Sequence, residues 1–125
     1  MPVDLEDIYI YKSGYMDMNQ SLLALSALAQ PTRLTAFRLL VQAGPQGMAA
    51  GDIAARLGVV QNTMSAHLAL LLSAGLVRNE REGRMIRYAA DMDGTRGLLG
   101  FLLQDCCGGQ PGLCQPVIDQ IACAC

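Results

Sequence analysis

The stretch from Ala50 to Ala90 constrains this chain more than any other, because two short helical patterns separated by a three-residue turn that opens on a glycine are followed at once by a basic hairpin. Ala50 to Leu57 sets Ile53, Ala54 and Leu57 on one face, and Gly58 supplies a turn. Gln61 to Ala74 sets Met64, Leu68, Leu71 and Leu72 on one face and Asn62, Ala66, Ala69 and Ser73 on the other. That is helix, tight turn, helix. Leu76 to Arg81 and Met85 to Ala90 read as strands turning at Glu82-Gly83, with Arg78, Arg81, Arg84 and Arg87 along them. The order predicts a winged helix-turn-helix, mostly α with a β-hairpin wing.

The second helix of the pair is small and polar at its start, which suits entry into a major groove about 12 Å wide. Gln61, Asn62, Thr63 and Ser65 supply the amide and hydroxyl groups that reach base edges. His67 reads as a phosphate contact or a packing residue beside them, and Arg84 and Arg87 as phosphate contacts on the wing. The expected partner is double-stranded operator DNA; a winged helix used for protein interaction is the alternative.

A formal net charge of −2 argues against nucleic-acid binding only if the charge is spread evenly, and it is not. Residues 1–30 carry Lys12 against Asp4, Glu6, Asp7 and Asp17, a net of −3. Residues 31–90 carry seven arginines against Asp52, Glu80 and Glu82, a net of +4. Residues 91–125 return to −3. A basic middle between acidic ends fits a DNA-facing domain, and fits ordinary solvated faces as well.

A chain of 125 residues suits one domain with short extensions, and a 5% aromatic content without tryptophan favours helices over a β-sandwich. Ser21 to Ala29, with Leu22, Leu23, Leu25 and Leu28, reads as a short helix ended by Gln30-Pro31. The next helix opens at Pro31, points Leu34, Phe37, Leu40 and Val41 inward, and stops at Ala43-Gly44-Pro45. A last helix of the domain is expected from about Thr95 to Cys107, with Asp93 as N-cap and Leu98, Leu99, Phe101, Leu102 and Leu103 as its apolar body. The divisions are thus an N-terminal extension at 1–19, the winged domain at 20–107 and a cysteine-containing tail at 108–125. The acidic N-terminus lacks the charge of a secretion signal, and no apolar run reaches the ~18 residues of a membrane span. A cytoplasmic protein without a membrane partner is expected.

Four segments in order, Leu28-Ala29-Gln30-Pro31-Thr32-Arg33-Leu34, Thr63-Met64-Ser65-Ala66-His67-Leu68, Ala74-Gly75-Leu76-Val77 and Arg81-Glu82-Gly83-Arg84 through Tyr88, resemble the ArsR/SmtB family of metal- and metalloid-responsive repressors. The resemblance covers about residues 20–107. It implies a homodimer, joined through the first and last helices of the domain, that represses its own operon. Two departures stand out: Val60 where a helix-capping Ser is common, and Ala66 where a larger polar residue is common. His67 is the lone histidine, which excludes the paired-histidine zinc site of some members. The cysteine pair that others carry before the recognition helix is replaced here by Gly51-Asp52-Ile53-Ala54-Ala55-Arg56-Leu57.

Three of the five cysteines, Cys106, Cys107 and Cys114, fall within Asp105–Cys114. In a reducing cytosol they read as ligands or sensors rather than staples. Neighbouring side chains on a helix point about 100° apart, so Cys106 and Cys107 share an ion only at a helix end, which Gly108-Gly109 provides. Pro111-Gly112 is expected to bend the chain so that Cys114 returns over the pair. Three thiolates without imidazole suit a pyramidal trivalent centre such as As(III) or Sb(III), whereas zinc prefers four ligands. The cluster also resembles the arsenite site of one branch of ArsR-type repressors. Cys123 and Cys125 are the rivals for the third ligand, but a short separate helix expected over Pro116–Ala122 carries Cys123 away.

The reading is therefore a repressor released by As(III) or Sb(III), and not an enzyme. The alternatives are a repressor sensing oxidants or sulfur species, and a thiol enzyme on a winged-helix scaffold. Asp105 beside the thiols opposes the enzyme, because a neighbouring carboxylate raises a thiol pKa.

Overall fold

The structure, a computed structural model, describes residues 16–104 and 111–122. Its helices are α1 (Met18–Leu28), α2 (Pro31–Ala43), α3 (Ala50–Leu57), α4 (Gln61–Ser73), α5 (Met92–Leu102) and α6 (Pro111–Ala122). Its strands are β1 (Met48–Ala49), β2 (Val77–Glu82) and β3 (Met85–Ala90). The winged helix-turn-helix is therefore present, mostly helical with an antiparallel wing.

α1 starts at Met18, three residues ahead of the expected Ser21, because Asp17 caps it by accepting from the Gln20 amide at 2.7 Å. The boundary drawn at residue 20 thus cuts a helix, and Met16, fully buried, already belongs to the core and donates its amide to the Gly97 carbonyl. The inward face of α1 is small: Ser21, Ala24 and Ala27. Leu22, Leu23 and Leu25, expected as its apolar body, lie exposed, Leu22 by 56%.

α2 opens with Pro31 in its first turn and Gln30 as N-cap, the Gln30 Oε1 accepting from the Arg33 amide at 2.7 Å. Its inward residues are Ala36, Phe37 and Leu40. Leu34 and Val41, expected inside, are more than 40% exposed. They sit one residue, about 100°, round the helix from the i, i+3, i+4, i+7 row of positions 33, 36, 37 and 40.

The wing is a three-stranded antiparallel sheet in the order β1-β3-β2. Glu82 pairs with Met85, so the turn is Gly83-Arg84 rather than Glu82-Gly83, and Gly83 takes the left-handed backbone (φ 62) that a two-residue hairpin requires. β1 was not expected: two residues, Met48 and Ala49, pairing with Tyr88 and Arg87, are too short to show alternation.

α5 is capped by Asp91, not Asp93. The Asp91 Oδ1 accepts from the amides of Asp93 (3.0 Å) and Gly94 (3.2 Å), while Asp93 sits in the first turn and pairs with Arg96 at 2.9 Å. The helix ends at Leu102, short of the expected Cys107. Its buried residues are Gly94, Gly97 and Leu98; Leu99, Leu102 and Leu103 are exposed.

The core gathers Met16, Leu40, Ile53, Met64, Leu68, Leu71, Leu76 and Val77 between α1, the helix-turn-helix pair and the root of the wing. α6 is continuous from Pro111 to Ala122, so Pro111-Gly112 opens a helix instead of bending the chain, and Pro116 lies inside that helix instead of starting another. Proline is favoured at the first helical position, and Pro116 removes one hydrogen bond, to the carbonyl four residues earlier. Leu113, Val117, Ile118 and Ile121 on α6 are exposed, whereas Cys114 is buried.

Candidate nucleic-acid interface

α3 and α4 are held by a glycine closure. Gly58 takes the left-handed conformation (φ 67), and its amide and that of Val59 turn back to the Ala55 and Ala54 carbonyls. α4 then packs through Met64, Leu68 and Leu71, as its periodicity predicts. Asn62, Thr63 and Ser65 are exposed, and none of their side chains has a hydrogen-bond partner among the described residues. Their polar groups are therefore available to an external partner. Gln61 is exposed too, but its carboxamide lies against Gly51 of α3, where a Cβ would meet Oε1 at 3.6 Å. Val60 at the N-cap makes no side-chain cap bond, leaving the α4 N-terminal amides open.

His67 is half-buried, and its Nδ1 lies 3.3 Å from Arg33 Nη1. It is thus tied to the N-terminal turn of α2, the packing role that its sequence position allowed.

The wing arginines divide into two pairs. Arg78 donates to the Pro45 carbonyl at 3.2 Å; Arg87 donates to the Gln46 (3.3 Å) and Gly47 (3.1 Å) carbonyls and pairs with Glu82 at 3.5 Å. These two fasten the hairpin to the loop after α2. Arg81 and Arg84 are exposed and have no ion-pair or hydrogen-bond partner among the described residues. The hairpin register explains the split: Arg78, Glu80 and Glu82 stand opposite Ala89, Arg87 and Met85 on one face, whereas Arg81 stands opposite Ile86 on the other. Arg84, expected on phosphate, is free to act there. Arg87 is already engaged, and Arg81 is the candidate that the sequence reading passed over.

Recognition helix, free arginines and wing together form a surface of small polar groups flanked by cations, with no helix among the described residues long and apolar enough to cross a membrane. A helix-turn-helix domain model matches residues 28–80. The regulator CmtR of Mycobacterium tuberculosis is 39% identical over 90 residues, covering 70% of this chain and 74% of CmtR. The chain belongs to the ArsR/SmtB family of winged helix-turn-helix transcriptional regulators. The nodulation protein NolR of Rhizobium meliloti is 36% identical over 78 residues, and the match spans 62% of its length and 62% of this chain. Among solved ArsR-type structures, the homodimeric DNA-binding domain of a possible ArsR-family regulator from Mycobacterium bovis superposes with a TM-score of 0.56 at 31% identity, over 70% of this chain and 82% of that one. A possible transcriptional regulator for arsenical resistance gives the same TM-score at 30% identity, over 62% and 77%.

Of the three cysteines that the sequence offers as ligands, only Cys114 lies among the described residues. Its side chain is buried and disulfide-bonded. Cys106, Cys107, Cys123 and Cys125 all lie outside the described residues, so its partner is one of these four. A bonded thiol differs from the free thiolates expected in a reducing cytosol. The end-of-helix geometry expected of Cys106-Cys107 and Gly108-Gly109 also lies outside them. Among the described residues, no three His, Cys, Asp or Glu side chains form a metal cluster.

Proposed function

We propose that this regulator is a cytosolic homodimeric repressor, and that it leaves its operator when As(III) or Sb(III) is captured by Cys106, Cys107 and Cys114. The carrying observation is the clustering of Cys106, Cys107 and Cys114 in one short stretch of the chain, with Cys114 bonded to another cysteine and so needing reduction before its sulfur can take an arsenic centre. A donor set of soft thiolates without histidine fits a trivalent thiophilic centre. Once a cellular dithiol reductant has supplied two electrons and two protons to open the Cys114 disulfide, becoming a disulfide itself, arsenous acid and three thiols give three As–S bonds and three waters, each thiol proton leaving with one hydroxide. The structural neighbour described as a possible transcriptional regulator for arsenical resistance supports the same reading. The exposed leucines of α1 and α5 supply the apolar face that a partner subunit would cover, in keeping with the homodimeric neighbour.

A second reading is favoured by the same bond. A disulfide that opens and closes makes the chain a repressor of the thiol-redox type, sensing oxidants or sulfur species. The deciding experiment treats the reduced protein with arsenite or with peroxide, then follows intact mass and release of promoter DNA together. Arsenic adducts with release support the metalloid sensor. Release only with the two-proton mass loss of a disulfide supports the redox sensor.

A further inference from the structure

Two side chains, Gln20 on α1 and Arg33 in the first turn of α2, tie α1 to the recognition helix at two separate heights. Gln20, in the first turn of α1, donates from Nε2 to the carbonyl of Ala74, the C-cap residue of α4, at 3.0 Å. Arg33 donates from Nε to the carbonyl of Ala27, in the last turn of α1, at 2.7 Å, and reaches His67 Nδ1 of α4 with Nη1 at 3.3 Å. An arginine offers only donors, so the contact is a hydrogen bond in the tautomer whose Nδ1 accepts and whose ring proton is on Nε2. Arg33 is itself fixed, since its amide is held by the Gln30 cap. Positions 67 and 74 are seven apart, close to two helical turns, and therefore share one side of α4.

Apart from Leu28, which packs against the core at the end of the helix, the inward positions of α1 are Ser21, Ala24 and Ala27. Such small side chains interlock little, so they resist sliding weakly. Directional hydrogen bonds at two heights resist both sliding and rotation. The opposite face of α1, with Met18, Leu22 and Leu23 more than half exposed, is the one free to meet a partner subunit.

We propose that Gln20 and Arg33 are positioning residues that lock the recognition helix to α1, so that the dimer, through α1, sets the distance between the two DNA-reading helices. The inference rests on the dimeric reading above and not on the identity of the inducer. Neither side chain reaches DNA on this account; each acts through His67 or the Ala74 carbonyl.

The test uses the full chain and a palindromic duplex selected from a random pool by the wild-type protein, with variants of that duplex whose half-sites are moved apart or together by one and two base pairs. For the wild type, affinity should fall at least about tenfold on such a shift, as loss of one well-placed half-site predicts. In Gln20→Leu/Arg33→Met the preference should shrink to about twofold, while affinity for an isolated half-site stays unchanged. Each single variant should lose part of the preference, and Arg33→Lys should restore little, since one ammonium does not span both acceptors. Nitrogen NMR of the imidazole should show one tautomer in the wild type and a mixture in Arg33→Met. A folded, dimeric double variant with undiminished spacing preference overturns the clamp alone. A monomeric wild type, read by light scattering, overturns the dimeric reading and the clamp with it.

Discussion

Gly94 of α5 lies directly against the carbonyl of Gly75, so that a Cβ added at Gly94 would overlap that oxygen. The contact seats α5 on the turn that ends α4, and the neighbouring amide of Asp91 reinforces it by donating to the Leu76 carbonyl at 2.9 Å. Gly94→Ala is therefore expected to destabilise the domain by about 1–3 kcal/mol, because backbone atoms on both sides leave nothing flexible to yield. Gly112→Ala on α6 is the control: among the described residues no atom of another element lies within 4 Å of its added Cβ, and the change should be neutral or slightly stabilising. Urea unfolding of both variants checks the pair, and equal midpoints would count against the close packing of α5.

The caps give a prediction of opposite signs. Asp91→Ala removes an acceptor serving two amides of α5 and should cost about 1 kcal/mol, whereas Asp93→Ala loses only an exposed ion pair with Arg96 and should change stability by less than about 0.5 kcal/mol. Val60→Ser should add up to about 1 kcal/mol, since Val60 has the extended backbone of an N-cap (φ −61, ψ 140) but no side-chain acceptor. Thermal unfolding of the three variants orders them, and a larger loss in Asp93→Ala than in Asp91→Ala would reverse the assignment.

Much of this was legible in the sequence because the helix-turn-helix pair is specified locally. Ile53, Ala54, Met64, Leu68 and Leu71 are inward as their spacing requires, and Gly58 sits where the turn needs a left-handed residue. What misled was the assumption that leucines mark the inside. On α1 and α5 most inward positions are small, Ser21, Ala24, Ala27, Gly94 and Gly97, which permit close approach; Leu98 is inward as expected, while Leu22, Leu23, Leu99 and Leu102 face out. A chain that completes its apolar burial with a second subunit carries two hydrophobic faces per helix, and periodicity alone does not say which is internal. At the candidate interface the residue types were readable but the engaged partners were not. Arg78, Arg81, Arg84 and Arg87 look alike in the sequence, and only the strand register separates those that hold the wing from those that remain free.

That division predicts how DNA affinity responds to salt. Arg81→Ala and Arg84→Ala should each lower the slope of log affinity against log salt by roughly one, with folding stability unchanged, if each neutralises one phosphate. Arg87→Ala should instead lower the unfolding temperature, because it abandons the Gln46 and Gly47 carbonyls and the Glu82 pair. Titrations with promoter DNA at several salt concentrations, beside calorimetry of the free protein, measure both. A slope unchanged in Arg81→Ala and Arg84→Ala would remove the wing from the DNA interface.

The disulfide at Cys114 leads to the last prediction, because one sulfur cannot hold both a second sulfur and an arsenic centre. Oxidised protein should bind no arsenite at this site, and protein reduced with a phosphine that is then removed should bind one arsenic per protomer. Cys114→Ser should lose that stoichiometry while keeping its operator affinity, since Cys114 lies on α6, outside the helix-turn-helix and the wing. The continuity of α6 changes what truncation means: stopping after Ile118 removes the last turn of the helix that carries Cys114, rather than a separate terminal piece. Loss of arsenic binding on truncation therefore does not by itself implicate Cys123 or Cys125. The double change Cys123→Ser/Cys125→Ser, which leaves α6 whole, separates the two causes. Retained binding of one arsenic per protomer there, with loss in Cys114→Ser, fits the assignment to Cys106, Cys107 and Cys114; the reverse pattern moves the third ligand to the C-terminus.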